Sequence, residues 1–277
     1  MQMISSLDFL AAYPTCVLVE VTEAKGSTPR EAGAFMLVSN ATIWGTIGGG
    51  QLEYMAIDNA RAILRGGGRD DMDIPLGPEI GQCCGGRTRL SFHAMTLPMI
   101  AYLQQRLQSE REALPNIILF GAGHVGRALV NALSPLPFTL TVVETRSEEL
   151  RSMPPEIHTR LSALPEAEVA KMPAGSAALI LTHDHALDFL IARTALARTD
   201  LAYVGMIGSA TKRATFAHWL EREGEDKVLM TRLTLPIGGS TVRDKRPEVI
   251  AALVAAELLT VYAKRQQMAS ERQVSHG

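Results

Sequence analysis

The sequence lacks most of the features that would take a chain out of the ordinary globular class. It has only three cysteines, Cys16, Cys83 and Cys84, two of them adjacent. No disulfide framework can be built from these, and a reducing, cytoplasmic compartment is expected. No segment approaches the ~18 consecutive apolar residues of a membrane span. The first residues have no basic region and carry Asp8 inside a short apolar stretch, so neither a signal peptide nor a membrane partner is expected. An excess of charge is missing too. The 27 Lys and Arg against 29 Asp and Glu leave a net charge of −2, which gives no electrostatic reason to expect nucleic acid or an anionic membrane surface as a partner.

What is present is enough apolar residue for a sizeable core. The 277 residues are 47% hydrophobic and 20% charged, sufficient for two modest domains. The most informative stretch is Ile117 to Val130, IILFGAGHVGRALV. Four apolar residues run into Gly121, Gly123 and Gly126, and Val125, Ala128 and Leu129 then begin a helical pattern. In a strand, glycine turn and helix of this spacing, the glycines serve the tight turn, close backbone approach to a phosphate, and close packing of helix on strand. The new helix presents uncovered N–H groups to an anion. A second apolar strand, Phe138 to Val143, ends in Glu144, where an acid would meet a ribose hydroxyl.

Ahead of this stretch, residues 15–22, 34–38 and 42–46 alternate as strands of a small antiparallel sheet. Gly48, Gly49 and Gly50 follow, leading into a helical pattern from Leu52 to Leu64. Consecutive glycines before a helix suit an anion-binding nest, and equally a flexible lead-in loop. Strands at 72–76 and 87–93 flank Gly81-Gln82-Cys83-Cys84-Gly85-Gly86. Adjacent cysteines among glycines are unusual for core packing, whereas Cys16 sits in an apolar run. A loop thiol with cations or N–H groups nearby would be a nucleophile or soft-metal ligand; the alternatives are a vicinal disulfide or two inert thiols. A helix is expected over 95–107 and a polar linker over 108–116.

In the second half, Ala177 to Thr182 reads as a buried parallel strand whose carboxyl end runs into His183-Asp184-His185 and Asp188. Ligands of open α/β sheets lie outside such strand ends, so His183 and His185 are candidates to orient a ligand or exchange protons. Asp184 as a helix cap is the competing reading, preferred over a metal site. The strand 201–207 repeats the logic with Gly208, Ser209, Lys212 and Arg213, where Ser209 would cap a helix and the two cations would hold a phosphate or carboxylate. A strand at 232–237, the basic loop Arg243 to Arg246, and a helix opened by Pro247 follow. That helix should fray beyond Lys264. Its apolar face must be buried on the small domain, on the sheet, or in a homo-oligomer.

The fold class expected is therefore α/β: a small N-terminal α+β domain (1–112), a Rossmann-like doubly wound parallel-sheet domain (113–240), and a basic loop, long C-terminal helix and polar tail (241–277).

Taken together, GTIGGGQLE (45–53), GQCCGG (81–86), LFGAGHVGRAL (119–129), LTHDHALD (181–188), YVGMIGSATKR (203–213) and LPIGG (235–239) resemble the XdhC/CoxI family, accessory proteins of xanthine dehydrogenase and related molybdenum hydroxylases. The resemblance implies a chaperone that binds molybdenum cofactor (molybdopterin). The chaperone would protect its cargo while a cysteine desulfurase supplies the terminal sulfido ligand, and deliver it to apo-xanthine dehydrogenase. It carries functional weight onto Gly48, Gly49, Gly50 and Glu53, onto Gln82, Cys83 and Cys84, and onto Gly121, Gly123, His124 and Gly126. The metal or its sulfur is expected toward Cys83 and Cys84, and the phosphate toward Gly121 to Gly126. Two other classes compete. An NAD(P)-dependent oxidoreductase would use the fingerprint and Glu144 but leave the cysteine loop idle. A protein-interaction adaptor would bind no small molecule.

Overall fold

The computed structural model describes residues 5–78 and 85–274, with side chains to residue 271. The chain divides into two compact units, Met1–Glu110 and Arg111–Gly277.

The first unit runs α1 (Ser6–Ala12), β1 (Cys16–Lys25), β2 (Phe35–Ser39), β3 (Ile43–Gly45), α2 (Gly50–Leu64), β4 (Asp71–Pro75), β5 (Arg87–Ala94) and α3 (Leu97–Glu112). Its strands form one antiparallel sheet in the order β3-β2-β1-β5-β4. Side chains alternate across a strand, so β1 supplies two cores. Val17, Val19 and Val21 meet Leu52, Ala56 and Ala60 of α2 on one face, while Cys16 and Leu18 meet Phe9 and Leu103 on the other. Burial pushes the Cys16 thiol up to about 11, so this cysteine is structural.

The second unit runs β6 (Asn116–Phe120), α4 (His124–Leu133), β7 (Thr139–Glu144), α5 (Ser147–Leu150), β8 (His158–Leu161), α6 (Pro165–Glu168), β9 (Ala177–Ile180), α7 (His185–Ala197), β10 (Tyr203–Met206), α8 (Ala210–Arg222), β11 (Leu233–Thr234) and α9 (Pro247–Val274). The six strands are parallel, in the order β11-β10-β9-β6-β7-β8. Two βαβαβ halves thus diverge from β6 and β9, and the winding reverses between those strands. Helices cover both faces, as buried parallel strands require. Ile117 and Leu119 pack with Leu129, Val254 and Leu258 on one face, and Ile118 and Phe120 with Phe189, Phe216 and Leu220 on the other.

Three expectations about local structure are corrected. Residues 108–112 continue α3; their polar side chains suit an exposed helix end, and Arg106 pairs with Glu110 one turn on at 2.8 Å. The strand expected at 232–237 is a 3-10 turn, Lys227–Arg232, followed by only two strand residues. Pro236 has no N–H to extend the ladder and joins through a cis bond. The terminal helix does not stop at Lys264 but continues to Val274, because Lys, Arg, Gln, Met and Ala are all good helix formers. Its apolar face is covered by α4 and the sheet, one of the settings expected for it.

Candidate functional site

The carboxyl ends of β6 and β9 bound the crevice where the winding reverses. Gly121 ends β6 at φ +120°, and a Cβ there would lie 2.4 Å from the Leu181 carbonyl oxygen at the end of β9. A Cβ on Gly126 would lie 2.3 Å from the Gly121 carbonyl oxygen. These two glycines therefore serve close packing of the two turns and the helix. Gly123 differs: nothing lies within 4 Å of the position its Cβ would take, and no side chain caps the start of α4. The backbone at Gly123 and His124 is left to face an incoming group. His124 is exposed and borders a groove of about 510 Å³ with Arg127, Asn131 and Glu248.

Glu144 stands at the end of β7, as expected, but its carboxylate is engaged by the chain. It is 3% exposed. Oε2 accepts the Ala122 N–H of the glycine turn at 2.8 Å and an Arg146 guanidinium N–H at 3.2 Å. Oε1 accepts from Thr145 N, Thr145 Oγ1, Arg146 N and Arg146 Nε at 2.8 to 3.2 Å. Burial alone would raise its pKa, yet the Arg146 side chain and the three backbone donors outweigh it and hold the group at about 2. The first role of Glu144 is therefore to brace the glycine turn. Arg146 and Arg127 complete the brace through Glu149, at 3.4 and 2.8 Å.

At the end of β9, Asp184 caps α7 by accepting the Ala186 N–H at 2.8 Å, while His183 and His185 are exposed. Asp188, one turn into α7, is fully buried. Its Oδ1 accepts from Thr182 N at 2.9 Å and Thr182 Oγ1 at 2.7 Å, and its Oδ2 accepts from Lys212 Nζ at 2.5 Å. Lys212 reaches it from the β10–α8 turn, where Ser209 caps α8 by accepting the Lys212 N–H. The cations expected to hold a ligand are thus directed inward. Lys212 neutralises Asp188, and the Arg213 guanidinium donates to the carbonyls of Met230, Leu233 and Leu235. The pairing of Asp188 with Lys212 was not legible from the sequence, whose only signal was an acid inside an otherwise apolar helix face.

Beyond β11, the Gly238 N–H and the Tyr203 hydroxyl both donate to Glu257 Oε2 of α9 at 2.9 Å. Burial, with the Glu257 carboxylate beside it, pushes the Tyr203 phenol up. Neither Glu257 nor Tyr203 stood out as a site residue in the sequence.

In the first unit the glycine nest already holds an anion, and that anion is Glu53. Its Oε2 accepts from Thr46 Oγ1 at 2.5 Å and from the N–H groups of Ile47 and Gly49 at 3.1 Å. Gly48, at φ +125°, sits where a Cβ would meet Pro29 at 2.6 Å. Gly49 and Gly50 also have positive φ. Gln82, Cys83 and Cys84 lie outside the described residues. The flanking backbone is fixed, with Gly85 N donating to Leu76 O at 2.9 Å and Leu76 N to Gly86 O at 2.8 Å. Among the described residues no group of three His, Cys, Asp or Glu side chains is arranged to hold a metal, and no helix is long and apolar enough to cross a membrane.

A doubly wound sheet with a glycine turn at its switch point, in the same chain as an antiparallel α+β unit, defines a two-unit protein with a Rossmann-like domain. Residues 117–258 match the XdhC Rossmann domain, and residues 10–73 match the XdhC and CoxI family. The chain belongs to the XdhC and CoxI family. It is 26% identical over 265 residues to YqeB, an uncharacterized protein of Escherichia coli strain K12, an alignment covering 88% of this chain and 43% of YqeB. It thus spans less than half the length of that relative. Its fold is similar to a crystal structure from Bacillus halodurans described as a xanthine dehydrogenase, with a TM-score of 0.77, 19% identity, and coverage of 96% of this chain and 97% of the other.

Proposed function

We propose that this protein acts in the maturation of xanthine dehydrogenase as a carrier of molybdenum cofactor. It would bind the cofactor, hold it while a cysteine desulfurase provides the terminal sulfido ligand, and pass it to the apo-dehydrogenase. The observation that carries this reading is membership of both units in the XdhC and CoxI family. The geometry supports it in one respect: the turn at Gly123 and His124 is braced from behind by Glu144 while its outer side is open. A phosphate group suits that turn. The cargo's metal end is assigned to Cys83 and Cys84, whose sulfur atoms are soft donors that suit molybdenum or its sulfur.

The alternative, an NAD(P)-dependent oxidoreductase, needs an acid at the end of the second strand to accept a ribose diol. Glu144 already accepts from six donor atoms of its own chain, which counts against that reading.

The test is anaerobic incubation of the purified chain with cofactor released from a molybdoenzyme, with NAD and NADP titrated in parallel. Saturable capture of molybdenum and pterin near one per chain, lost in the Cys83→Ala/Cys84→Ala variant, is the expected result. Tight NAD binding with no cofactor capture would overturn the proposal.

A further inference from the structure

Three loops of the first unit meet at one end of its sheet, and their glycines record how closely. A Cβ on Gly86, just before β5, would lie 2.2 Å from the Ser27 carbonyl oxygen and 2.7 Å from that of Lys25, where β1 leads into the loop toward β2. A Cβ on Gly26 would lie 3.4 Å from Gly86 Cα, and one on Gly48, ahead of α2, would lie 2.6 Å from the Pro29 side chain and 3.5 Å from Arg30 Cγ. The loops are in direct contact at these points, so residues 26–30 are held from two sides and need little ordering to bind a ligand. Beside the contacts there is open space: nothing lies within 4 Å of the Cβ position at Gly49 or Gly85.

The other charges at this end are matched. Lys25 pairs with Glu23 at 2.6 Å and Arg87 with Asp73 at 2.6 Å, while the Glu53 carboxylate is held by the Ile47 and Gly49 N–H groups. Arg30 is the exception. It is exposed, its stem lies against Gly48, and its guanidinium makes no hydrogen bond or ion pair among the described residues, the neighbouring Glu31 included. The Ser27 and Thr28 hydroxyls are uncommitted in the same sense. Thr88, two residues beyond Gly86, is 1% exposed and its Oγ1 has no partner. A buried hydroxyl in that condition is costly. This end of the unit therefore carries donors in excess of the acceptors the chain brings to it.

We propose that the loop of residues 27–30 is a binding site for a small tetrahedral oxyanion of the sulfate, phosphate or molybdate kind. The Arg30 guanidinium supplies charge-assisted N–H donors in a fixed fork, and the Ser27 and Thr28 hydroxyls complete the set. The proposal rests on the loops of the first unit and not on the cofactor-carrier reading, and is tested without molybdenum cofactor.

Isothermal titration of the full chain with sulfate, phosphate and molybdate, each at constant ionic strength set with chloride, decides it. Expected is saturable binding of at least one of the three at near one per chain. Arg30→Ala should weaken it about tenfold or more, since a charge-assisted contact is worth at least that factor, while keeping the wild-type unfolding midpoint because the side chain is exposed. Ser27→Ala/Thr28→Val should weaken it about fivefold or more. Arg65→Ala, which removes an exposed arginine at the opposite end of α2, should leave the affinity unchanged. No saturable binding of any of the three anions, unchanged affinity in Arg30→Ala, or an equal loss in Arg65→Ala, the mark of an adventitious ion only, would overturn the proposal.

Discussion

Replacing Glu144 by glutamine keeps the shape of the side chain and removes the charge that its six donor atoms converge on. The amide also presents an NH₂ where an acceptor is needed, toward either the Ala122 N–H or the Thr145 and Arg146 N–H groups. The expected cost follows from the titration of the wild-type group. Its pKa falls from an ordinary 4.5 to about 2 on folding, which corresponds to about 3 kcal/mol of stability at neutral pH. The sign is that of a depressed carboxylate: the contribution is complete above the unfolded pKa and is lost as pH falls through the folded one. It should be about 3 kcal/mol at pH 7 and roughly half that at pH 3. In a Trp44→Phe background, Trp219 is the only tryptophan left and reports on the second unit. Urea unfolding followed by its fluorescence, with and without Glu144→Gln, measures the difference at both pH values. A difference below about 1 kcal/mol at pH 7, the size of an ordinary exposed hydrogen bond, or one that does not shrink at pH 3, would refute the bracing role.

Three further outcomes are expected. Lys212→Met leaves Asp188 buried and unpaired and should cost about 3 to 5 kcal/mol, much of it recovered in Asp188→Asn/Lys212→Met; a double-mutant cycle by urea unfolding measures this. Gly121→Ala forces a Cβ to 2.4 Å from the Leu181 oxygen at φ +120°, and should lower stability by more than about 2 kcal/mol, visible as a fall in Tm by circular dichroism. Glu53→Gln should cost about 1 to 2 kcal/mol and speed amide exchange at Ile47 and Gly49, with exchange elsewhere in the first unit nearly unchanged.

The acids at the two glycine loops illustrate what sequence spacing does and does not carry. Glu53 and Glu144 both stand at positions that invite a functional reading. In both cases the nearest unsatisfied donors belong to the chain itself, and the carboxylate binds those first. The same holds for Lys212 and Arg213, whose place in the first turn of a helix suggests an outward-facing anion site. Their long stems reach inward, to Asp188 and to three carbonyls. The Cys83 and Cys84 reading concerns residues outside those described, and stands as the resemblance made it.

The sequence by itself determined the α/β class, the antiparallel first unit, the strand, glycine and helix units of the second, and membership of the family. These depend on local properties: hydrophobic period, the permissive backbone of glycine, and the fixed φ of Pro247. Tertiary structure decided which carboxylates are already engaged, and it placed α9 against α4. Such pairings join residues far apart in the chain, as Gly238 and Tyr203 join Glu257. No spacing rule can record them, because they exist only once the strands lie in order and the distances between their ends are fixed.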